Sequence, residues 1–162
     1  MELMKKLTNW CENSTWQQGW RDRAIAAKEI LGPYMPIDKI IDVGCGVKIV
    51  EEIIDCNEYV GYDKIGNPDI VLDINEVPVQ SGDLLIGLGI LEYIDVPKFF
   101  EMNVSRFGIC LFSYVPSEIR THPDVENNWI NSYTSNEMSE MLEAEHIKKS
   151  GYDFFLKAVK AE

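Results

Sequence analysis

The chain has 162 residues, 46% of them hydrophobic and 26% charged, with four Trp, six Phe and seven Tyr. That is enough apolar mass for one domain to bury about two thirds of its unfolded surface, and it excludes a disordered chain. With 15 basic and 27 acidic residues the net charge is -12, which argues against a broad surface for nucleic-acid phosphates.

The charge is uneven, +1 over residues 1–35, -10 over 36–104 and -3 over 105–162. The acidic middle suits a cationic ligand, although solubility alone also favours it. Cys11, Cys45, Cys56 and Cys110 lack short paired spacing, and only His122 and His146 could join them, so no metal site is expected. There is no run of 18 apolar residues and no secretory pattern in the opening MELMKKLTNWCENS. The expectation is a cytoplasmic protein without membrane insertion.

In chain order, STWQQGWRDRAIAAKEIL at 14–31 carries Trp20, Ala24, Ala27 and Leu31 at helical spacing and stops at Gly32–Pro33, predicting an amphipathic helix. Trp10, Trp16 and Trp20 read as packing residues, with a substrate-facing aromatic as the alternative. From residue 40 the rhythm changes to strand, glycine turn and helix: IIDV at 40–43, Gly44-Cys45-Gly46, then VKIVEEII at 47–54. EYVGYD at 58–63, IVLDI at 70–74 and DLLIGLG at 83–89 predict three further strands. Several of these runs are nearly continuously apolar, as in a parallel sheet covered on both faces.

Residues 94–104 predict a helix capped by Asp95, with Pro97 in its first turn. FGICLFSYV at 107–115 predicts a fifth strand and TSNEMSEMLEAE at 134–145 a capped helix. HIKKSG and YDFFLKAVKA close the chain as two strands joined by a turn at Ser150–Gly151. The fold class is therefore α/β, with residues 1–35 as a helical cap region of the same domain and 36–162 as a compact core.

The first strand, turn and helix carry the chemical clue. Gly44 and Gly46 let a ligand approach the backbone, and amides there can hold an anionic group. Asp63 follows Asp42 by 21 residues at the end of the second predicted strand, where a carboxylate can accept two ribose hydroxyls. A dinucleotide fingerprint would need a third glycine where Ile49 stands. An ordinary turn at 44–46 and a loop-capping Asp63 are the plainer alternatives.

With these residues in place, the sequence resembles the class I S-adenosylmethionine-dependent methyltransferases, and among them the small-molecule members. IIDVGCG at 40–46 looks like the first motif and YVGYD at 59–63 like the acidic motif of the second strand. DINEVPVQSGDLLIGLGILEYI at 73–94 looks like the third and fourth, and SYTSNEMSEMLE at 132–143 like the late segment. The resemblance covers about residues 37–160. It implies a Rossmann-like, mostly parallel seven-stranded sheet with helices on both faces and an antiparallel C-terminal strand.

It also implies S-adenosyl-L-methionine as cofactor. The methionine part would lie against Asp42, Gly44, Cys45 and Gly46, the ribose against Asp63, and the adenine beside Asp73 and Ile74. Leu88, Gly89 and Tyr93 would border the cofactor or its transferable methyl. Two departures stand out: Lys48 replaces a frequent further glycine, and Tyr93 follows Leu91–Glu92 where His is also used. Lys48 either contacts the cofactor carboxylate or points into solvent.

Methyl transfer asks the protein chiefly for positioning and exclusion of water, with a base where the acceptor is a hydroxyl. Glu92, Tyr93 and His122 are the candidates, Glu92 and Tyr93 near the reaction mouth and His122 in a mouth loop. Cys45 lacks a paired His, so covalent thiol chemistry is not expected. The reading favours methyl transfer to an oxygen, nitrogen or carbon of a small-molecule acceptor, and it leaves a homo-oligomer open. A methyltransferase-like binding or regulatory protein and an enzyme acting on a protein or polymer are the alternatives.

Overall fold

The structure is a computed structural model that describes residues 14–121 and 128–158. Helix α1 (Ser14–Leu31) leads through a short 3-10 turn into strand β1 (Ile37–Val43), and helix α2 (Ile49–Ile53) connects β1 to β2 (Cys56–Asp63). Then follow β3 (Ile70–Val71), β4 (Leu84–Leu88), α3 (Val96–Asn103) and β5 (Ile109–Ser113). Helix α4 (Ser135–Leu142) precedes the hairpin of β6 (Glu145–Lys149) and β7 (Tyr152–Ala158). Among the described residues no helix is long and apolar enough to cross a membrane.

The seven strands form one sheet in the order β3-β2-β1-β4-β5-β7-β6. Neighbours from β3 to β5 are parallel, and β7 runs antiparallel to both β5 and β6. Strand order reverses direction between β1 and β4, which opens a crevice at their carboxyl ends.

Alternation along the strands sorts the core into two layers. Ile40, Leu84, Ile86, Leu111, Phe154 and Leu156 turn to the face covered by α1 and α2, meeting Ala24, Ala27, Leu31 and Val50. Ile41, Val43, Leu85, Phe112 and Phe155 turn to the other face and meet Phe99 of α3 and Met138 and Leu142 of α4. Small alanines on α1 let its backbone lie close to the sheet, while each fully buried Leu or Ile contributes about 2 kcal/mol. Asp95 caps α3 by accepting the Lys98 amide, and Thr134 and Glu137 form a reciprocal capping box on α4.

Several elements are shorter than their sequence signals, and for two the cause is a specific backbone choice. The third strand, expected over 70–74, ends at Val71 because Asp73 folds into a turn, accepting the Asn75 amide on its carboxylate and the Glu76 amide on its carbonyl. The helix expected over 47–54 starts only at Ile49, because Lys48 takes a left-handed conformation with φ 61°. A hydrophobic pattern cannot see either local backbone choice.

Candidate functional site

A cleft of about 270 Å³ opens at the carboxyl ends of β1, β2 and β4. Its floor is the glycine turn. Gly44 (φ 71°) and Gly46 (φ 54°) take backbone conformations that a side chain would strain, and the amides of Gly44 and Cys45 both donate to the Tyr62 carbonyl, at 2.8 and 3.1 Å. Gly44 sits against the Ile90 side chain, 2.9 Å from where a Cβ would stand, whereas a Cβ on Gly46 would meet open space. The turn is thus packed at one glycine and open at the other.

Asp63 ties this turn to the end of β2. Its Oδ2 accepts the Gly46 amide at 2.8 Å, and its Oδ1 accepts the amides of Lys64 and Ile65 at 2.7 and 3.4 Å. Burial pushes the carboxyl up, and the three amides pull it back. A carboxylate offers about four lone-pair sites, so three amides leave room for roughly one more donor. The expected acceptance of two ribose hydroxyls would require the long Ile65 contact to give way.

The segment after β2 is clamped onto the turn. The Asn67 amide donates to the Gly46 carbonyl at 2.9 Å, and a Cβ on Gly66 would fall 2.4 Å from that same oxygen. Lys48 reaches across to Asp69, Nζ to Oδ1 at 2.6 Å, while Asp69 Oδ2 accepts the Gly61 amide at 2.8 Å. Farther along, Lys64 pairs with Asp73 at 3.2 Å.

Charge inside the cleft is concentrated and sparingly compensated. Asp42 is 2% exposed, accepts the Tyr59 hydroxyl on Oδ2 at 2.5 Å, and burial, reinforced by Asp63, raises its pKa to about 7. Arg23 projects from α1, donates Nη2 to the Leu88 carbonyl at 2.9 Å, and lies 2.9 Å from where a Cβ on Gly89 (φ 81°) would stand. Only glycine leaves room there for the guanidinium. Burial lowers the Arg23 pKa, countered chiefly by Glu92, and its Nε has no hydrogen-bond partner among the described residues. The guanidinium stays protonated in any case.

Glu92 is 3% exposed and accepts the Val115 amide on Oε2 at 3.2 Å, and among the described residues Oε1 has no partner. Burial raises its pKa. Its backbone carbonyl accepts the Ile130 amide at 2.9 Å, which draws residues 128–131 over the cleft edge. Asn131 fastens this strap by donating to the carbonyls of Leu91 and Ile94, at 2.7 and 3.2 Å, and accepting the Tyr114 hydroxyl at 2.7 Å. Arg120 lies over the Trp129 ring, 4.8 Å from its centre. Tyr93 lines the cleft, its hydroxyl pushed up to about 12 by burial.

All nine residues expected at a cofactor, Asp42, Gly44, Cys45, Gly46, Asp63, Asp73, Ile74, Leu88 and Gly89, line this one cleft. Tyr93 joins them. Glu92 does not: it is sealed behind the wall on the Val115 amide, so the expectation that it sits at a reaction mouth is corrected. His122, with its neighbours Asp124, Glu126 and Asn127, lies outside the described residues; Asn128 lines the cleft. Cys45 Sγ has its pKa driven up by burial, which removes thiolate chemistry at neutral pH. His146 pairs instead with Asp153, Nε2 to Oδ1 at 2.7 Å, away from the cleft. Lys48 turns to Asp69, and neither sequence alternative, cofactor contact or free solvent exposure, describes it.

Sequence reasoning missed Arg23 and Ile65, and it put packing ahead of ligand contact for Trp20, all three of which line the cleft. For Arg23 a signal existed: it lies in the helical stripe of Trp20, Ala24, Ala27 and Leu31, and a charge within an apolar stripe is a buried charge in waiting. Among the described residues, no group of three or more His, Cys, Asp and Glu side chains is placed to hold a metal ion.

No family pattern and no curated protein matches the sequence. Solved structures do match. TehB from Haemophilus influenzae superposes with a TM-score of 0.63 at 15% identity over 82% of this chain and 60% of its own. Human N-acetylserotonin methyltransferase, in complex with S-adenosylmethionine, gives 0.68 at 14% identity over 96% of this chain and 56% of its own. The N-methyltransferase NodS from Bradyrhizobium japonicum WM9 gives 0.58 at 12% identity over 90% and 96%. The chain thus spans well under two thirds of the first two. At these identities the likeness concerns the fold, which is the Rossmann-like fold of class I methyltransferases.

Proposed function

We propose that the cleft binds S-adenosyl-L-methionine and that the chain transfers a methyl group from it to a small-molecule acceptor. The observation that carries this reading is the gathering of all nine expected residues on one cleft at the topological switch point. The fit of the cofactor rests on the donor set: an open Gly46, a carboxylate at the end of β2 with acceptor capacity left, and a buried guanidinium with an orphaned Nε. Bound there, the cofactor supplies an electrophilic methyl carbon on a sulfonium.

The chain's own residues then bind and orient. Asp63 takes a ribose hydroxyl, and Asp73, Ile74 and Ile65 border the base. Arg23 meets the methionine carboxylate, and Asp42 and Asp63 favour the positive sulfur end through their field. Tyr93, Trp20, Asn128 and Ile130 form the remaining wall, against which the acceptor is positioned and water excluded. Catalysis by positioning suits a cleft in which Tyr93 is a poor base and Glu92 is out of reach; His122 keeps the role of candidate base proposed from its loop position.

The sealed position of Glu92 specifically favours a second reading, a binding or regulatory protein that holds the cofactor without turnover. Calorimetric titration with S-adenosylmethionine and S-adenosylhomocysteine, on wild type and Asp63→Ala, separates the cases together with an acceptor screen for S-adenosylhomocysteine release. Binding lost in the variant supports the site, and turnover supports the enzyme. No binding to a demonstrably folded, ligand-free protein refutes the cofactor, and binding without any turnover favours the second reading.

A further inference from the structure

The glycine turn and the segment after β2 are joined by a side-chain latch, and its anchor is a residue that the backbone disfavours. Lys48 stands at φ 61° and ψ 41°, a conformation that costs an ordinary L-residue about 1–2 kcal/mol and that glycine adopts freely. The ammonium of that strained residue makes a 2.6 Å contact with Asp69, whose other oxygen holds the Gly61 amide of β2. The Lys48 and Asp69 side chains are 17% and 38% exposed, so water screens much of the pair. Between these two ends the backbones already touch, through the Asn67 amide on the Gly46 carbonyl and the glycine-only approach of Gly66.

What the latch holds in place faces the cleft. Lys64 and Ile65 line it, and their amides are the donors that orient Asp63. A segment free to swing away would take with it both the Ile65 side chain and two of the three amides on the Asp63 carboxylate. We infer that Lys48 and Asp69 are positioning residues of the cofactor site, a latch that fixes the segment 64–69 so that Asp63 and Ile65 are set before the ligand arrives. The inference rests on the cofactor reading above. Preorganisation of this kind raises affinity by sparing the ordering cost at binding.

The test is a double-mutant cycle on S-adenosylhomocysteine affinity, measured by calorimetry with the full chain at low and moderate salt. Lys48→Met and Asp69→Asn each remove the pair, and Asn at 69 keeps an oxygen for the Gly61 amide. Each single variant is expected to bind roughly three- to five-fold more weakly, near the upper range for a partly exposed pair. The double variant is expected to bind no more weakly than either single, and added salt is expected to narrow the gap between wild type and variants.

Lys48→Gly separates a positioning role from a structural one. Relief of the left-handed backbone makes it at least as resistant to heat as Lys48→Met, yet its affinity is expected to be as low. If wild type binds and Lys48→Gly binds as tightly, or if the two single losses simply add in the double variant, the latch is refuted while the cofactor reading survives. If folded wild type fails to bind at all, the cofactor reading falls and the latch falls with it.

Discussion

Asp42 offers a test of the cleft's electrostatics that needs no ligand. It is buried, and its pKa is about 7 against an ordinary 3.8. A carboxyl that holds its proton more tightly in the native state makes the native state richer in protons than the unfolded chain between those two values. Stability therefore falls as pH rises from about 4 to about 7 and levels off above. The gap of about three pH steps, at 1.36 kcal/mol each, gives roughly 4 kcal/mol of stability present in acid and absent above neutrality. Asp42→Asn removes the charge and keeps an oxygen for the Tyr59 hydroxyl. Urea unfolding of both proteins from pH 4.5 to 8.5 is expected to show near-equal stabilities at the acid end and a variant more stable by up to about 4 kcal/mol at the alkaline end. Groups common to both proteins largely cancel in the difference. A wild-type-to-variant difference that stays constant with pH would falsify the burial argument.

Two further perturbations probe the walls. Gly89→Ala places a Cβ 2.9 Å from the Arg23 guanidinium at φ 81°, so a loss of about 2 kcal/mol in thermal unfolding and a markedly weaker S-adenosylhomocysteine titration are expected; unchanged affinity would remove Arg23 from the cofactor site. Asn131→Ala strips the strap of two donated bonds and leaves the Tyr114 hydroxyl without its acceptor, for an expected loss of about 2–3 kcal/mol in urea unfolding. A loss under about 0.5 kcal/mol would mean that the strap is held by its other contacts, the Ile130 amide on the Glu92 carbonyl and Arg120 on the Asn131 carbonyl and the Trp129 ring.

The sheet was readable because burial on both faces writes apolar runs, and β1, β4 and β5 fall where those runs lie, whereas β2 is half-exposed and was marked by its aromatic and β-branched residues. The short β3 was overread because IVLDI is apolar through residue 74, whereas Asp73 spends its hydrogen bonds on a turn. The lining of the cleft was legible for a different reason: Gly44, Gly46 and Asp63 act through local backbone geometry, which their spacing records. Arg23 and Leu88 meet across 65 residues, and no local pattern encodes that distance. Glu92 lies in a 3-10 turn and is buried against the Val115 amide, a long-range contact that the local sequence does not register.

The first and last described elements meet across almost the whole length of the described chain. The Tyr152 hydroxyl donates to the Gly19 carbonyl across 133 residues, and Lys149 pairs with Glu29 at 2.9 Å. Helix α1 carries Trp20, Arg23 and Ala24 to the cleft, yet part of what holds it comes from β6 and β7. The hairpin thus fastens the outer wall of a cleft whose nine expected lining residues all precede β5. The outer wall of the cleft is accordingly braced by contacts from the far end of the described chain, and slack in the hairpin would reach the cleft through α1.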